Sequence, residues 1–384
     1  MTDFSFNIKT KTLHQVIFKI SQKCNINCTY CYVYNMGDSS WSQRENFASD
    51  EIVQALAKKI KEHVEFYNMK TFHLELHGGE PLLYGKARLR KLLTTMDFIV
   101  GKQILRYSIQ TNGLLLDREW VDLFSEFKVN VGISIDGPPS IFSKRVNRRG
   151  RDITPNLLDV LENLHITRTN FKPGALAVIS DTSDICELID WFPTIGICSF
   201  DLLLPLGNII TPPSGITDLA SLEEKLIKGF EYWRSLGEGA PRIRLYELMI
   251  KGFLGHEVAL DALGGDLTTL CVVESNGAIG MSDVTRFLGG IYSSDDINIK
   301  THKLDVHSEH FKVQELQKLC DTCKNCAVVN ACGGGYIPDR FDGVSFNNPT
   351  YYCSVMYGLG KHILKYMQQS IPEKAWVEGV SRVG

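Results

Sequence analysis

The chain has 384 residues, eleven cysteines and a formal net charge of -3. That length exceeds one small domain and accommodates one large α/β unit with an appendage. The weak charge leaves no nucleic-acid or membrane-surface footprint. The N-terminus lacks a basic stretch leading into an apolar run, and no segment stays apolar long enough to span a bilayer, so a cytoplasmic protein without nucleic acid or membrane is expected.

After an N-terminal segment, 1–13, short β-rich runs recur at 15–20, 71–76, 104–109, 129–135, 175–179 and 200–204. The stretches 49–69, 87–100, 117–127 and 156–166 carry amphipathic helical spacing. Strand and helix alternating in this order predict an α/β fold with a parallel sheet and right-handed crossovers. Six units instead of eight predict a partial (β/α)6 TIM-like barrel over 14–215. The Pro212-Pro213-Ser214-Gly215 break opens a helical bridge, 216–262, with helices at 218–236 and 245–254. From 263 to 353 the chain is rich in glycine, loops and cysteine, a composition that buries little core and points to metal as organiser. A closing helix at 357–369 falls within a final segment, 354–384.

Cytosolic thiols stay reduced, so this many cysteines point first to metal ligation. They are unevenly placed: Cys24, Cys28 and Cys31 follow the first strand, and Cys320, Cys323, Cys326, Cys332 and Cys353 lie in the distal segment. Cys186, Cys198 and Cys271 stand alone and read as structural thiols. Three thiolates on one loop supply one ligand fewer than a cubane needs, leaving an iron open, whereas structural zinc sites close all four positions. On spacing alone, a zinc or core-thiol loop remains the alternative.

The run Cys-Asn-Ile-Asn-Cys-Thr-Tyr-Cys, of form C-x3-C-x2-C, resembles the signature loop of the radical S-adenosylmethionine (SAM) superfamily. The resemblance implies a [4Fe-4S] cluster open to SAM and places Tyr30 against the adenine. Gly78-Gly79-Glu80-Pro81 ends the second strand, as the family's amino-group motif does. Two glycines permit close backbone approach to a ligand, and Glu80 is suited to accept from the methionyl ammonium. Further strand-end motifs place Gln110, Asn112, Ser134, Leu204 and Asn208 around the cofactor, with Ser134 toward the ribose. Arg145 is expected at the methionyl carboxylate, with Arg148, Arg149 and Arg151 as alternatives.

The distal cysteines resemble the SPASM extension of peptide- and protein-modifying members. Cys323-x2-Cys326-x5-Cys332 and Cys353 would close one auxiliary [4Fe-4S] cluster, with Cys320 an additional or alternative ligand; tetrahedral zinc is the other occupant that four thiols satisfy. Tyr336 and Ser282 stand where the pattern places cysteines, so one auxiliary cluster is expected and not two. The run 332–353 is similar to maturases of ribosomally made peptides, most of all those forming three-residue cyclophanes. That resemblance implies a precursor peptide with a leader, an electron donor such as flavodoxin or ferredoxin, a 5′-deoxyadenosyl radical that abstracts hydrogen, and a carbon–carbon crosslink. It also makes Asp283 the candidate base. The alternatives are another radical peptide modification (thioether formation, epimerisation or sulfatase maturation) and a zinc-stabilised binding protein.

Overall fold

The computed structural model describes residues 11–140, 143–288 and 293–370. The first ten residues of the expected N-terminal segment and the tail beyond 370 lie outside the described residues. The six expected strands form as β1 (Gln15–Ser21), β2 (Phe72–Gly78), β3 (Leu105–Thr111), β4 (Asn130–Ser134), β5 (Gly174–Val178) and β6 (Ser199–Leu203). They pair in parallel in chain order. Helices α1 (Asp50–Phe66), α2 (Lys86–Met96), α3 (Arg118–Phe127), α4 (Thr154–Asn163) and α5 (Ile185–Thr194) make the crossovers.

Local chemistry sets these elements. The Ser49 side chain accepts from the Ile52 amide to start α1, whose buried Ile52, Val53, Leu56, Ala57, Ile60 and Val64 recur at helical spacing. Asp117 and Asp184 cap α3 and α5 in the same way. In β2, Phe72, Leu74 and Leu76 are buried on one face while Glu75 and His77 occupy the other. Parallel sheets are ordinarily apolar on both faces, so these polar positions mark the side on which chemistry is to be sought.

The sheet does not stop at β6. A two-residue strand, β7 (Arg242–Ile243), pairs with its far edge and leads from α6 (Leu219–Ser235) into α7 (Arg244–Phe253). At the other end β8 (Leu270–Val273) lies parallel beside β1, followed by antiparallel β9 (Ala278–Gly280) and β10 (Ser293–Asn298). The result is an open ten-stranded mixed sheet of order β10-β9-β8-β1-β2-β3-β4-β5-β6-β7. The Cys-rich segment thus begins as a continuation of the sheet, with Cys271, Val273, Ile279 and Met281 fully buried. It has more core than its composition led us to expect. Short helices α8 (Val306–His310), α9 (Val313–Leu316), α10 (Asp321–Lys324) and α11 (Val329–Cys332) carry the chain to α12 (Cys353–Ser370). Among the described residues no helix is long and apolar enough to cross a membrane.

One buried ionic network ties this extension to the segment after the first cysteines. Arg286, only 2% exposed, pairs with Asp38 at 2.5 Å and with Glu274. Glu274 also accepts from the Gln22 amide nitrogen at 2.8 Å and lies 3.4 Å from Arg44. Removing one member of such a network strands a charge without solvent, so Arg286→Met should lower unfolding free energy by about 3–5 kcal/mol. Denaturant titration measures this; a loss below about 1 kcal/mol would mean that the network does not hold the two segments together.

Candidate active site

Cys24, Cys28 and Cys31 occupy the loop after β1. Their side chains share one small apolar patch with Ile26, Tyr30, Leu114 and Ile153. The loop curls through bonds from the Cys31 and Asn35 amides to the Cys28 and Cys31 carbonyls, at 3.1 and 2.8 Å, and from the Asn35 side chain to the Cys28 carbonyl at 2.7 Å. All three are free thiols. Burial first, and then neighbouring Glu80 and the other two sulfurs, pushes the Cys24 thiol up to about 12. Burial raises Cys28 and Cys31 as well, with Arg145 working in the opposite direction on both. Three thiols so enclosed lose their protons readily only to a cation bound among them, and this donor set suits a thiophilic metal.

The Gly78-Gly79-Glu80 turn lies directly against this loop. The Gly79 amide donates to the Ser21 carbonyl at 2.8 Å and the Glu80 amide to the Lys23 carbonyl at 2.7 Å. A Cβ on Gly78 would lie 2.1 Å from the Ser21 oxygen, and one on Gly79 1.9 Å from the Tyr34 hydroxyl. The close approach that these glycines permit is therefore to the protein's own chain. The Glu80 carboxylate, 1% exposed, accepts from the Leu82 amide (2.9 Å), the Thr111 hydroxyl (2.7 Å) and the Asn112 amide (2.8 Å). Burial raises its pKa despite these donors. Asn112 reaches on to the Asn25 side chain at 2.8 Å, and its Nδ2 lies 3.8 Å from the Cys24 sulfur.

Beyond them the Tyr30 hydroxyl donates to Asp136 (2.8 and 3.0 Å) and accepts from Arg145 Nη1 at 2.8 Å. The Arg145 Nε is buried without a hydrogen-bond partner. Burial opposes charge on Arg145, but Tyr30, Cys28 and Asp136 together hold its pKa up. An enclosed, charged guanidinium with a spare donor suits an anionic ligand. Arg148, Arg149 and Arg151 are exposed. Gln110 donates to the Ser134 hydroxyl at 2.7 Å. Leu204 and Asn208 face the distal segment: Leu204 lines a cavity with Tyr336, Asp339 and Tyr352, and Asn208 donates to the Pro338 carbonyl at 3.2 Å.

Asp283 is 6% exposed and pairs with Lys19 of β1, itself 2% exposed. Its Oδ1 meets the ammonium by charge without an aligned hydrogen bond, while Oδ2 accepts from the Tyr32 hydroxyl and lies 3.8 Å from His77 Nδ1. Lys19 Nζ is 2.9 Å from that same nitrogen. Burial pushes the Asp283 carboxyl up, but Lys19, His77 and Arg286 outweigh it and hold the group well below the usual carboxylate range. Burial and then Lys19 push His77 down to about 4, so its imidazole is neutral. Lys19, Tyr32 and His77 escaped the motif reading. Their signal was a lysine and a histidine inside strands otherwise rich in apolar residues.

In the distal segment all five cysteines are free. Burial and then Cys320 push Cys323 up to about 12, burial pushes Cys332 up to about 11, and Cys353 is raised by burial and by Cys326 and Cys320. Among the described residues no group of three His, Cys, Asp or Glu side chains is arranged to hold a single metal ion. Tyr336, at the expected cysteine position, is enclosed near Asp261, Arg244, Asp201 and Asp339. Ser282, at the other such position, is buried with its hydroxyl unpartnered.

The crowding at Gly79 yields a direct expectation. Gly79→Ala should displace the Cys24 loop and lower iron retained after anaerobic reconstitution by about half, since overpacking here costs about 1–3 kcal/mol. Full iron content in that variant would mean that the loop does not depend on this contact.

Comparison with known proteins agrees with this geometry. The Radical SAM superfamily description matches residues 18–174. A serine-type anaerobic sulfatase-maturating enzyme of Bacteroides thetaiotaomicron is 25% identical over 93% of this chain and 91% of its own. The fold is shared with anSMEcpe bound to AdoMet and the Cp18Cys peptide, at TM-score 0.78 and 22% identity over 92% and 98% of the two chains. It is shared also with Streptococcus suis SuiB bound to its precursor peptide SuiA, at TM-score 0.62 and 16% identity over 89% and 76%. Residues 18–174 thus carry a Radical SAM domain, and the protein is a radical SAM enzyme.

Proposed function

We propose that the protein is a maturase that oxidises the β-carbon of a residue in a peptide or protein substrate, and that conversion of a serine or cysteine to an aldehyde-bearing residue is the outcome the observations favour. The observation that carries this reading is the Asp283 carboxylate, buried, kept ionised by Lys19 and joined through Tyr32 to the loop of Cys24, Cys28 and Cys31. Likeness to a sulfatase-maturating enzyme over most of both chains supports the choice of product.

In this reading Cys24, Cys28 and Cys31 hold the cluster, Glu80, Ser134 and Arg145 hold SAM, with Tyr30 beside them, and Cys323, Cys326, Cys332 and Cys353 hold one auxiliary cluster with Cys320 adjoining. When bound, these groups supply hydrogen-atom abstraction and a one-electron acceptor. The chain's own residues handle the proton. Loss of one hydrogen atom, one electron and one proton completes a two-electron oxidation that gives the aldehyde directly from serine and, from cysteine, a thioaldehyde that water hydrolyses with release of hydrogen sulfide; Asp283 receives the proton. A carboxylate so strongly paired is a weak base, so Lys19 must loosen from it as substrate arrives. Neutral His77, 2.9 Å from the ammonium, offers Lys19 another partner.

A second reading, the cyclophane crosslink, is favoured by one observation. Tyr336 and Ser282 stand in place of two expected cysteines, whereas sulfatase maturases usually carry both auxiliary sites. The same base and the same loss of two hydrogens serve it.

Anaerobic incubation with SAM, dithionite and a sulfatase-derived serine peptide should give loss of two hydrogens and a product that reacts with hydrazine. Loss of two hydrogens from a precursor peptide with no carbonyl formed would instead select the crosslink. Asp283→Asn should lower product by about 10²–10⁴-fold while 5′-deoxyadenosine continues to form. Unchanged product in that variant would remove Asp283 from the proton step.

A further inference from the structure

Residues 144–152, which precede α4, fold as a hairpin strapped to the cysteine loop. The Asn27 and Thr29 amides donate to the Val146 and Lys144 carbonyls at 2.8 and 2.9 Å, so the loop between Cys24 and Cys31 is edge-paired with it. Val146 bridges Asp152 across the hairpin, and the Asn147 side chain fixes the tip by accepting from the Arg149 and Arg151 amides at 2.8 and 3.1 Å. Ile153, at the base, packs on Ile26 and Cys28. The tip therefore cannot move far without the cysteines.

What the tip presents is positive charge. Arg148, Arg149 and Arg151 are exposed, as is Lys23 beside Cys24, and none of the four forms a salt bridge among the described residues. Arg148 also donates to the Cys24 carbonyl at 3.3 Å. Asp152, the one acid between Gly137 and Leu158, has its carboxylate engaged by Thr154 and Ser140. Elsewhere on this surface exposed cations are often paired, as Lys86 is with Asp117 and Glu119, or Arg90 with Glu126. Unpaired guanidinium groups held beside a redox centre suit neither core packing nor stability.

We infer that the 144–152 hairpin is the docking surface for an acidic one-electron carrier protein that reduces the cluster held by Cys24, Cys28 and Cys31. The inference rests on the assignment of that cluster. One electron leaves the carrier's anionic flavin hydroquinone, which becomes the neutral semiquinone, and enters the cluster, which would pass from its 2+ to its 1+ state; no proton is released and no covalent bond forms or breaks. The arginines steer and orient the carrier by charge, a contribution that salt screens. Arg148, in contact with the Cys24 carbonyl, also couples the tip to the loop, so Arg149 and Arg151 are the clean positions for testing.

Flavodoxin, reduced to its hydroquinone, is the probe. In Arg149→Glu/Arg151→Glu, bleaching of the cluster's visible absorbance by reduced flavodoxin should slow by about tenfold or more at low ionic strength, and its dependence on salt should flatten. Arg149→Gln/Arg151→Gln should fall between this variant and the parent. Affinity for oxidised flavodoxin, which involves no turnover, should weaken in the same order, while reduction by dithionite stays unchanged. An unaltered flavodoxin rate, equal slowing with dithionite, or loss of binding to an acidic peptide alone would each overturn the inference. If the parent enzyme fails to cleave SAM with dithionite, the radical chemistry itself is in error, a result distinct from failure of docking.

Discussion

Glu80 is the joint on which the site depends. Its amide holds the chain entering the cysteine loop, and its carboxylate gathers the end of β3 and the turn after β2. Three strand ends are thereby fixed to one buried residue, two through its carboxylate and one through its amide. The three donors offset part of the cost of burying this carboxylate, which unpaired would be several kcal/mol, although burial still raises its pKa. The two preceding glycines make this possible, because any side chain there would collide with Ser21, Lys23 or Tyr34. The same turn thus brings the cysteine loop close to the groups proposed to hold SAM.

The extension after α7 is coupled to that joint from the other side. Placing β8 beside β1 carries Asp283 to Lys19, Tyr32 and His77, all on or next to β1, β2 and the cysteine loop. The Arg286 network then locks the same extension to Asp38 and Arg44. Position in the sheet, together with buried charge, therefore sets which carboxylate reaches Tyr32 of the cysteine loop. A residue more than 250 positions from Tyr32 becomes its hydrogen-bond partner.

Much of the parallel core was legible because its strands and helices obey local rules. The apolar alternation in 71–76 and the Asp117 cap are readable without tertiary knowledge, and both elements form within two residues of the expected bounds. The sheet's outer strands were not legible. β7 has only two residues, and β8 is a fully buried tetrapeptide whose pairing with β1 spans a sequence separation no local pattern encodes. In the site, cysteine spacing and Gly78-Gly79-Glu80 could be read as motifs. Lys19, Tyr32 and His77 could not, since their significance arises from meeting Asp283. The contacts of chain with chain at the glycines and at Asn208 were invisible in sequence for a related reason.

The proposed chemistry requires an iron–sulfur cluster with an open iron at Cys24, Cys28 and Cys31. Electron paramagnetic resonance of the dithionite-reduced enzyme, recorded with and without SAM, tests it most directly. The account predicts a reduced-cluster signal whose g values shift when SAM is added, and the loss of that SAM-sensitive signal in Cys24→Ala while a second, SAM-insensitive cluster signal persists. A spectrum indifferent to SAM in the parent enzyme, or an undiminished SAM response in Cys24→Ala, would contradict it.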